Sequence, residues 1–372
     1  MLPLEIIDHI FGFLQSDSST LEKCSKAHPI LSKLVPKHLY ASVIIRVPTD
    51  VSRLSELASD NLIAHYVCNL QLDLVWSVHV GSSRRLLDQE KIALMLPKFR
   101  MLRGIALHVG DDPPTEWPLL HEKFREAFTQ CLRSSSMIAV SILGTSEFPL
   151  TIFRNCTSIK RLALGGEFDF DDSSSDSSSP PRIESLSFYG CHRSSSAIIS
   201  WAKICSPRSL RFSLPGDFGL FQSLVSIYSN TLVSLELALG TTFMSSACPI
   251  HCPPLPKVED LIIHTSMSFF HGGRDYDTSL PMIASLATSA PSLKRLTLNI
   301  LFWIRGIFSL REFDWSPLNL LCSSSLECIE LHVTRAIVVG NVPPEELLPC
   351  LEGNADLMRM VKQGLLTIKT NT

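Results

Sequence analysis

Leu293-Lys294-Arg295-Leu296-Thr297-Leu298 is the clearest copy of the pattern that decides the fold of this 372-residue chain. The pattern consists of an apolar residue, two residues of any type, a second apolar residue, one residue of any type, and a third apolar residue. Its last two apolar positions lie two residues apart, the spacing that puts side chains on one face of a β-strand. Each copy therefore predicts a short strand with alternate side chains buried.

The same pattern recurs along most of the chain. Clear copies are Val67-Leu70-Leu72, Ile159-Leu162-Leu164, Ile183-Leu186-Phe188, Leu232-Leu235-Leu237, Val258-Leu261-Ile263, Leu293-Leu296-Leu298 and Leu326-Ile329-Leu331. Weaker copies are Leu102-Ile105-Leu107, a shifted version near Ile138-Val140-Ile142, and Leu210-Phe212-Leu214. A single copy would indicate an ordinary buried strand of an α/β fold. This many copies, separated by about one or two repeat lengths of roughly 20–29 residues, indicate a repeat domain.

Helix-like stretches lie between the predicted strands, at residues 86–96, 117–132, 195–205, 219–228 and 280–290. Strands that alternate with helices through right-handed connections form a parallel sheet with the helices on its other side. We therefore expect an α/β solenoid over residues 60–372 that resembles the leucine-rich-repeat horseshoe, with parallel strands on the concave side and helices and loops outside. The asparagine of the leucine-rich-repeat consensus is mostly absent, so the repeats are expected to be irregular and divergent.

Residues 171–181 interrupt the repeats with aspartates, serines and two prolines. This composition cannot bury apolar area, so it predicts a mobile acidic loop. Ser179-Pro180 is the best single candidate there for phosphorylation, although a plain linker is the simpler interpretation.

The first residues of the chain follow a helical pattern instead. Pro3 has no backbone N–H to leave unpaired, so it suits the first turn of a helix. Large apolar residues follow at three- and four-residue intervals, at Ile6, Ile7, Ile10, Phe11, Phe13 and Leu14. This stripe is wider than a single buried helix face requires.

Two further short helices are predicted before residue 46. Ser19 and Glu22 have the spacing of a capping box, which predicts a helix that starts near Thr20. Pro29 ends or kinks that helix, and a third short apolar stripe runs up to Pro36. Three short helices bury little core alone, so their surplus apolar surface must face the rest of the chain or a partner.

This N-terminal string resembles an F-box, and it is similar to the opening of a large class of fungal F-box proteins. The resemblance covers residues 1–46 and rests on Leu2-Pro3, the helix that begins Glu5-Ile6-Ile7-Asp8, Asp17, Thr20-Leu21, Cys24-Ser25 and Leu39-Tyr40. The alternative is an N-terminal helical cap that closes a larger domain.

The resemblance implies a substrate-recognition subunit of an SCF-type (Skp, cullin, F-box) ubiquitin ligase. Residues 1–46 would dock on the Skp adaptor and through it on a cullin, while the repeat domain would bind an unknown target protein. Carried over by motif position, the adaptor-binding residues are Leu2, Pro3, Ile6, Ile7, Ile10, Leu14, Leu21 and Cys24. A rival interpretation keeps the F-box as an interaction scaffold without a role in ubiquitin transfer.

The target would bind to outward positions of the repeat strands. These mix both charges with polar groups and one tyrosine, as a protein-binding face can, although each alone could simply confer solubility. The candidates are Arg161, Tyr189, Arg211, Glu236, Asp260, His264, Arg295 and Glu330.

Motifs for catalysis and metal binding are weak, so we expect no enzyme activity, no cofactor and no metal. Cys248, His251 and Cys252 could contribute to a zinc site, but a structural site needs four ligands and no second pair has a suitable spacing. The stretch 270–273, Phe-His-Gly-Gly, is faintly similar to the oxyanion loop of esterases. A hydrolase would also need a Gly-x-Ser-x-Gly nucleophile elbow, which the sequence lacks.

Composition favours a protein of the cytoplasm, the nucleus or both. The formal charge of −3 and the scattered Lys and Arg residues predict neither a nucleic acid nor a membrane as partner. The apolar run at residues 298–310 is broken by Asn299, Arg305 and Gly306, and it is too short to span a bilayer. The N-terminus does not have the pattern of a secretory signal, so the eleven cysteines are expected to be reduced and mostly buried.

Overall fold

The computed structural model describes residues 2–15, 17–75, 82–110, 115–170, 181–191, 195–214, 218–239, 252–268, 279–303, 315–323, 325–336 and 347–371. Contacts within the chain divide it into two compact units, Met1–Ile183 and Glu184–Thr372. This division falls inside the predicted repeat domain, and the predicted boundary between residues 46 and 60 stays a prediction. Residues 171–180 of the predicted acidic loop lie outside the described residues.

The first unit contains a parallel sheet in the order β1-β2-β3-β5-β6, with the short β4 also parallel to β5. The strands are β1 (Ser42–Val47), β2 (Asn69–Leu74), β3 (Gly104–Val109), β4 (Thr115–Glu116), β5 (Ala139–Pro149) and β6 (Arg161–Asp169). Their register aligns two buried columns, Val43-Leu70-Ile105-Val140-Leu162 and Ile45-Leu72-Leu107-Ile142-Leu164. The apolar positions of the sequence pattern therefore form the core side of this sheet.

The described residues of the first unit also form seven α-helices. They are α1 (Leu4–Phe13), α2 (Ser18–Ala27), α3 (Pro29–Leu39), α4 (Val51–Ser59), α5 (Asn61–Tyr66), α6 (Ser82–Met95) and α7 (Glu122–Leu132). Aromatic packing joins α7 to the sheet. The centre of the Trp117 ring lies 5.9 Å from that of Phe128 in α7 and 4.7 Å from that of Phe148 in β5. Burial alternates along β1 and β2 and most of β3, so one sheet face packs into the core there and the other carries the more exposed residues. The alternation is interrupted in β5 and β6.

The second unit repeats the same arrangement, with seven consecutive parallel strands. They are β7 (Ser185–Tyr189), β8 (Ser209–Leu214), β9 (Ser234–Leu239), β10 (Asp260–Ser268), β11 (Arg295–Trp303), β12 (Cys328–Ala336) and β13 (Leu366–Asn371). The described helices are α8 (Ser195–Ala202), α9 (Phe218–Tyr228), α10 (Ser279–Thr288), α11 (Leu347–Glu352) and α12 (Ala355–Lys362). One buried column runs through all seven strands, Leu186-Leu210-Leu235-Leu261-Leu296-Ile329-Leu366.

The predicted α/β class with parallel strands and intervening helices is confirmed, and the repeated order is compatible with a solenoid. The helices predicted at 86–96, 117–132, 195–205, 219–228 and 280–290 correspond to α6 to α10 with shifted ends. Three of the described strands, β1, β13 and the two-residue β4, were not predicted. The copy near residue 138 is regular rather than shifted, because the buried Met137 occupies its first position and Ile138 is only partly buried.

The three N-terminal helices form with different signals from those predicted. Asp17, not Ser19, caps α2, because its carboxylate accepts a hydrogen bond from the Thr20 backbone N–H at 3.0 Å. Pro29 follows the end of α2, which stops at Ala27 with His28 extended, as predicted, and it is also the first residue of α3. Pro36 does not end α3, since the helix continues to Leu39 and the Pro36 carbonyl accepts a bond from the Tyr40 N–H at 2.9 Å.

Candidate interaction surfaces

The three N-terminal helices pack around a small core of their own. Phe11 of α1, Leu21 of α2 and Val35 of α3 are its buried centre. The partly buried residues that pack against it are Ile7, Leu14, Cys24, Leu31, Leu34 and Leu39. In α1 the members of this core, Ile7, Phe11 and Leu14, lie four and three residues apart, so they form one helix face.

A second apolar face of α1 is exposed. Leu2, Ile6, Ile10 and Phe13 are 59%, 47%, 42% and 74% exposed, respectively. Ile6, Ile10 and Phe13 lie four and three residues apart on α1, so they form one row, and the exposed Leu2 stands just before the helix. We call these four residues the α1 stripe. The three helical residues of the stripe lie beside the face that packs on α2 and α3.

A polar contact fixes α1 against α3. The Asp8 carboxylate is 2.6 Å from Lys37 Nζ and 2.6 Å from His38 Nε2, and Gln15 Nε2 lies 3.4 Å from His38 Nδ1. Hydrogen bonds from Lys37 and His38 hold the pKa of Asp8 below its usual value. Because Asp8 lies on a different face from the α1 stripe, this contact leaves the stripe free.

The eight predicted adaptor-binding residues fall into three groups by the exposure of their side chains. Leu2, Pro3, Ile6 and Ile10 are exposed, Ile7, Leu14 and Cys24 are partly buried against the helical core, and Leu21 is fully buried. The exposed group is the most accessible to a partner, and Leu21 is not accessible without a rearrangement of the helices. The predicted set omits Phe13, although its position three residues after Ile10 places it on the α1 stripe.

Four of the predicted target-binding residues form one chain of contacts on the exposed side of strands β7 to β10. The Arg211 guanidinium lies 5.6 Å from the centre of the Tyr189 ring, and Arg211 Nε is 3.3 Å from Glu236 Oε1. The same Glu236 oxygen is 2.8 Å from His264 Nε2. The four side chains thus connect four adjacent strands.

Three further members of the predicted set are ion-paired on strands β10 to β13. Arg295 donates two hydrogen bonds to Asp260, of which the bond from Nη2 to Oδ2 is 2.9 Å long. Glu330 accepts from His332 and Lys369, each at 2.9 Å, and these bonds lower its pKa. The last member, Arg161, is an exposed residue of β6 in the first unit. The charges of this side of the second unit are therefore largely paired with one another.

Three of the described thiols are poor candidates for nucleophiles. Burial raises the pKa of Cys131 and Cys156 to about 11 and that of Cys205 to about 12, so these thiols are protonated at neutral pH. Cys131 borders a cleft of about 180 Å³ whose other walls include Leu96, Phe99 and Met137. The cleft therefore has apolar walls, and the thiol beside it is not activated as a nucleophile.

The described residues include no group of three or more His, Cys, Asp or Glu side chains placed to bind a metal. Cys248, His251 and the stretch 270–273 lie outside the described part of the chain. Cys252 is partly buried, and its pKa is raised by that burial. The predictions about metal and enzyme activity therefore stay predictions.

Comparisons with known proteins do not identify the chain. It matches no protein-family model, and a search of curated proteins finds no significant match. Among the helices of the described residues, none combines the length and the apolar character needed to cross a membrane. The geometry of the surfaces above is therefore the basis for a functional assignment.

Proposed function

We propose that this protein is an F-box subunit of an SCF-type ubiquitin ligase that docks on the Skp adaptor through the α1 stripe. The observation that carries the proposal is the row Leu2, Ile6, Ile10 and Phe13, which is exposed although a separate face of α1 already packs on the helical core. The F-box resemblance of residues 1–46 supplies the kind of partner.

Exposed apolar side chains in a continuous row indicate a surface that a partner covers. Each large apolar side chain that moves from water into an interface contributes about 1.5–3 kcal/mol when it becomes fully buried. Aromatic residues such as Phe13 are enriched at the centres of interfaces. Three aligned side chains on α1, together with Leu2 just before it, therefore supply a compact binding site on a preformed helix, which limits the conformational entropy lost on association.

The second unit would bind the target protein on the side that carries Tyr189, Arg211, Glu236 and His264. In this proposal the exposed strand side corresponds to the concave side of a divergent leucine-rich-repeat solenoid. The chain would accelerate ubiquitin transfer by holding the target near an enzyme supplied by other subunits, an effect of proximity. Such a protein would act in the cytoplasm, the nucleus or both.

Adaptor binding tests the proposal with the double variant Ile6→Glu/Ile10→Lys in the full chain. Both substitutions suit the helix, because the acid lies near its N-terminus and the base near its C-terminus, four residues apart. The variant therefore removes two apolar contacts while α1 is kept intact. We expect titration calorimetry with a purified Skp adaptor to show binding to the unaltered chain and a loss of at least about a hundredfold in the variant.

The matched control is Leu94→Glu, which introduces a charge at an exposed leucine of α6. It should leave adaptor affinity unchanged, and circular dichroism should show equal helix content in all three proteins. The proposal would be wrong if the unaltered chain did not bind the adaptor, or if the double variant bound it equally well. Adaptor binding without recruitment of a cullin would instead favour the scaffold without ubiquitin transfer.

A further inference from the structure

A second exposed row of side chains lies on α6 and on the 3-10 turn that follows it, Leu96–Lys98. Its leucines are Leu87 and Leu94, which are 51% and 66% exposed. Its cations are Arg84, Lys91 and Lys98, which are also exposed. The five residues alternate at intervals of three and four, and we call them the α6 seam.

The α6 seam has the spacing of a coiled-coil contact face. Leu87 and Leu94 lie seven residues apart, and so do Arg84 and Lys91, so each pair forms a file along one side of α6, and Lys98 follows seven residues later in the 3-10 turn. Other sides of α6 are already used, since Ile92, Ala93 and Met95 are buried in the core of the unit. The seam is therefore surplus to the packing of the fold.

The cations of the α6 seam have no carboxylate partner among the residues that the structure describes. Nearby Glu90 of the same helix instead contacts Lys123 of α7, at 2.5 Å between Oε1 and Nζ. Within the described part of the chain, Arg84, Lys91 and Lys98 thus present three positive charges without an ion pair, of which Arg84 and Lys91 are roughly 10 Å apart along α6. A partner with matching negative charges would gain from all three at once.

We infer that the α6 seam binds an acidic amphipathic helix of a partner protein. Leucines at seven-residue spacing on such a helix would pack against Leu87 and Leu94, and its flanking carboxylates would face the file of cations. This site is separate from the α1 stripe and does not depend on the ligase assignment.

The arrangement favours a helix over a lipid surface. A helix that lies in a membrane inserts a broad apolar face, with its cations on the other side. In α6 the broad apolar face is buried in the protein, and Leu87 and Leu94 form one file directly beside the cations, while the less exposed Leu86 lies on another side of the helix. That layout fits the ridge of one facing helix better than it fits a bilayer.

The test uses the full chain and a synthetic peptide of about 20 residues that carries leucine at every seventh position, flanked by glutamates. Fluorescence anisotropy should show one-to-one binding at about 0.15 M salt. We expect a scrambled peptide of the same composition to bind at least about tenfold more weakly, because its leucines no longer lie on one face of the peptide helix and cannot all contact the seam.

Single substitutions locate the site. Lys91→Glu and Leu94→Ser should each weaken binding about tenfold, whereas the matched controls Arg53→Glu of α4 and Leu62→Ser of α5 should change it by less than about twofold. The triple variant Arg84→Glu/Lys91→Glu/Lys98→Glu should bind a peptide in which every glutamate is replaced by lysine. This charge swap shows that a loss in the single variants is not a loss of folding.

Three outcomes would overturn the inference. The first is equal affinity for the scrambled peptide, which would reduce the binding to unspecific charge attraction. The second is an equal loss in the control variants. The third is binding to vesicles with anionic lipids that Lys91→Glu and Leu94→Ser abolish, while the helical peptide does not bind.

Discussion

Ile6 and Ile7 are neighbours in α1, but helical geometry turns their side chains roughly 100° apart. Ile7 packs against the core formed by Phe11, Leu21 and Val35, whereas Ile6 is half-exposed in the α1 stripe. The first side chain holds the helices together, and the second is available to a partner. Stability and docking are thus assigned to different residues of one helix.

Truncation of these two isoleucines should separate the two roles. Ile7→Ala removes contacts in a packed core and should destabilise the N-terminal helices by about 1–3 kcal/mol, less than a fully buried site because Ile7 is partly exposed. Ile6→Ala should change their stability by less than about 0.5 kcal/mol. Hydrogen exchange of the α1 amides reports both effects, and equal rates in the two variants would contradict the assignment.

The sequence identifies the apolar residues of α1 but not the face that each one uses. Its apolar positions surround more of the helix than one buried face needs, so periodicity alone cannot separate Ile6 from Ile7. The choice depends on where α2 and α3 contact α1. Those contacts involve residues more than ten positions away along the chain, such as Leu21 and Val35.

Asp8 should make the attachment of α1 to α3 sensitive to acid. Its pKa is lowered in the folded state by Lys37 and His38, so its contribution is complete above the unfolded value of about 3.9 and is lost as the pH falls through the folded value. The pair is partly exposed, so we expect an effect of less than about 1 kcal/mol.

The comparison of the unaltered chain with Asp8→Asn measures this effect. Hydrogen exchange of α1 at matched pH should be faster in the variant at about pH 5.5, and the difference should shrink toward about pH 3. A difference that grows as the pH falls would have the wrong sign for a carboxyl with a lowered pKa.

At the scale of elements, α2 depends on a cap that its sequence pattern does not single out. Asp17 precedes the helix and accepts bonds from the Thr20 N–H at 3.0 Å and the Thr20 hydroxyl at 2.6 Å. Ser19 lies inside the first turn and does not serve as the cap. Both residues are suitable cap types, and only the backbone course decides between them.

Asp17→Ala should therefore lower the stability of α2, and Ser19→Ala should not. Loss of the cap leaves a backbone N–H of the first turn unpaired, so we expect faster exchange of the α2 amides by several-fold. Ser19→Ala should leave these rates within about twofold. The reverse order of the two variants would show that the capping box between Ser19 and Glu22 forms instead.

The apolar repeat pattern predicts strands whose preceding residue is also apolar, and it misses strands that lack such a residue. Strands in the middle of each unit have an apolar residue three positions before the first buried strand residue, as Leu293 stands before Leu296. In the two terminal strands that position holds Tyr40 before Val43 and Gln363 before Leu366. Tyr40 is only partly buried and Gln363 is exposed, so the residue that precedes each of these strands is not a buried aliphatic side chain and the pattern is incomplete there.

At the scale of the whole molecule, each of the two units pairs a parallel sheet with helices, and the proposed roles are divided among their surfaces. In the first unit, the α1 stripe would hold the adaptor and the α6 seam a partner helix. In the second unit, the polar strand side would hold the target. The identity of that target depends on side chains outside this chain, which no pattern within it can predict.

The central claim is that α1 docks on the Skp adaptor through its exposed stripe. Hydrogen exchange of the full chain with and without saturating adaptor tests it most directly, because it shows where protection falls. The account predicts slower exchange across residues 2–15, unchanged exchange in α6 and the strands, and no protection in Ile6→Glu/Ile10→Lys. Unchanged exchange at residues 2–15, or protection confined to other elements, would contradict it.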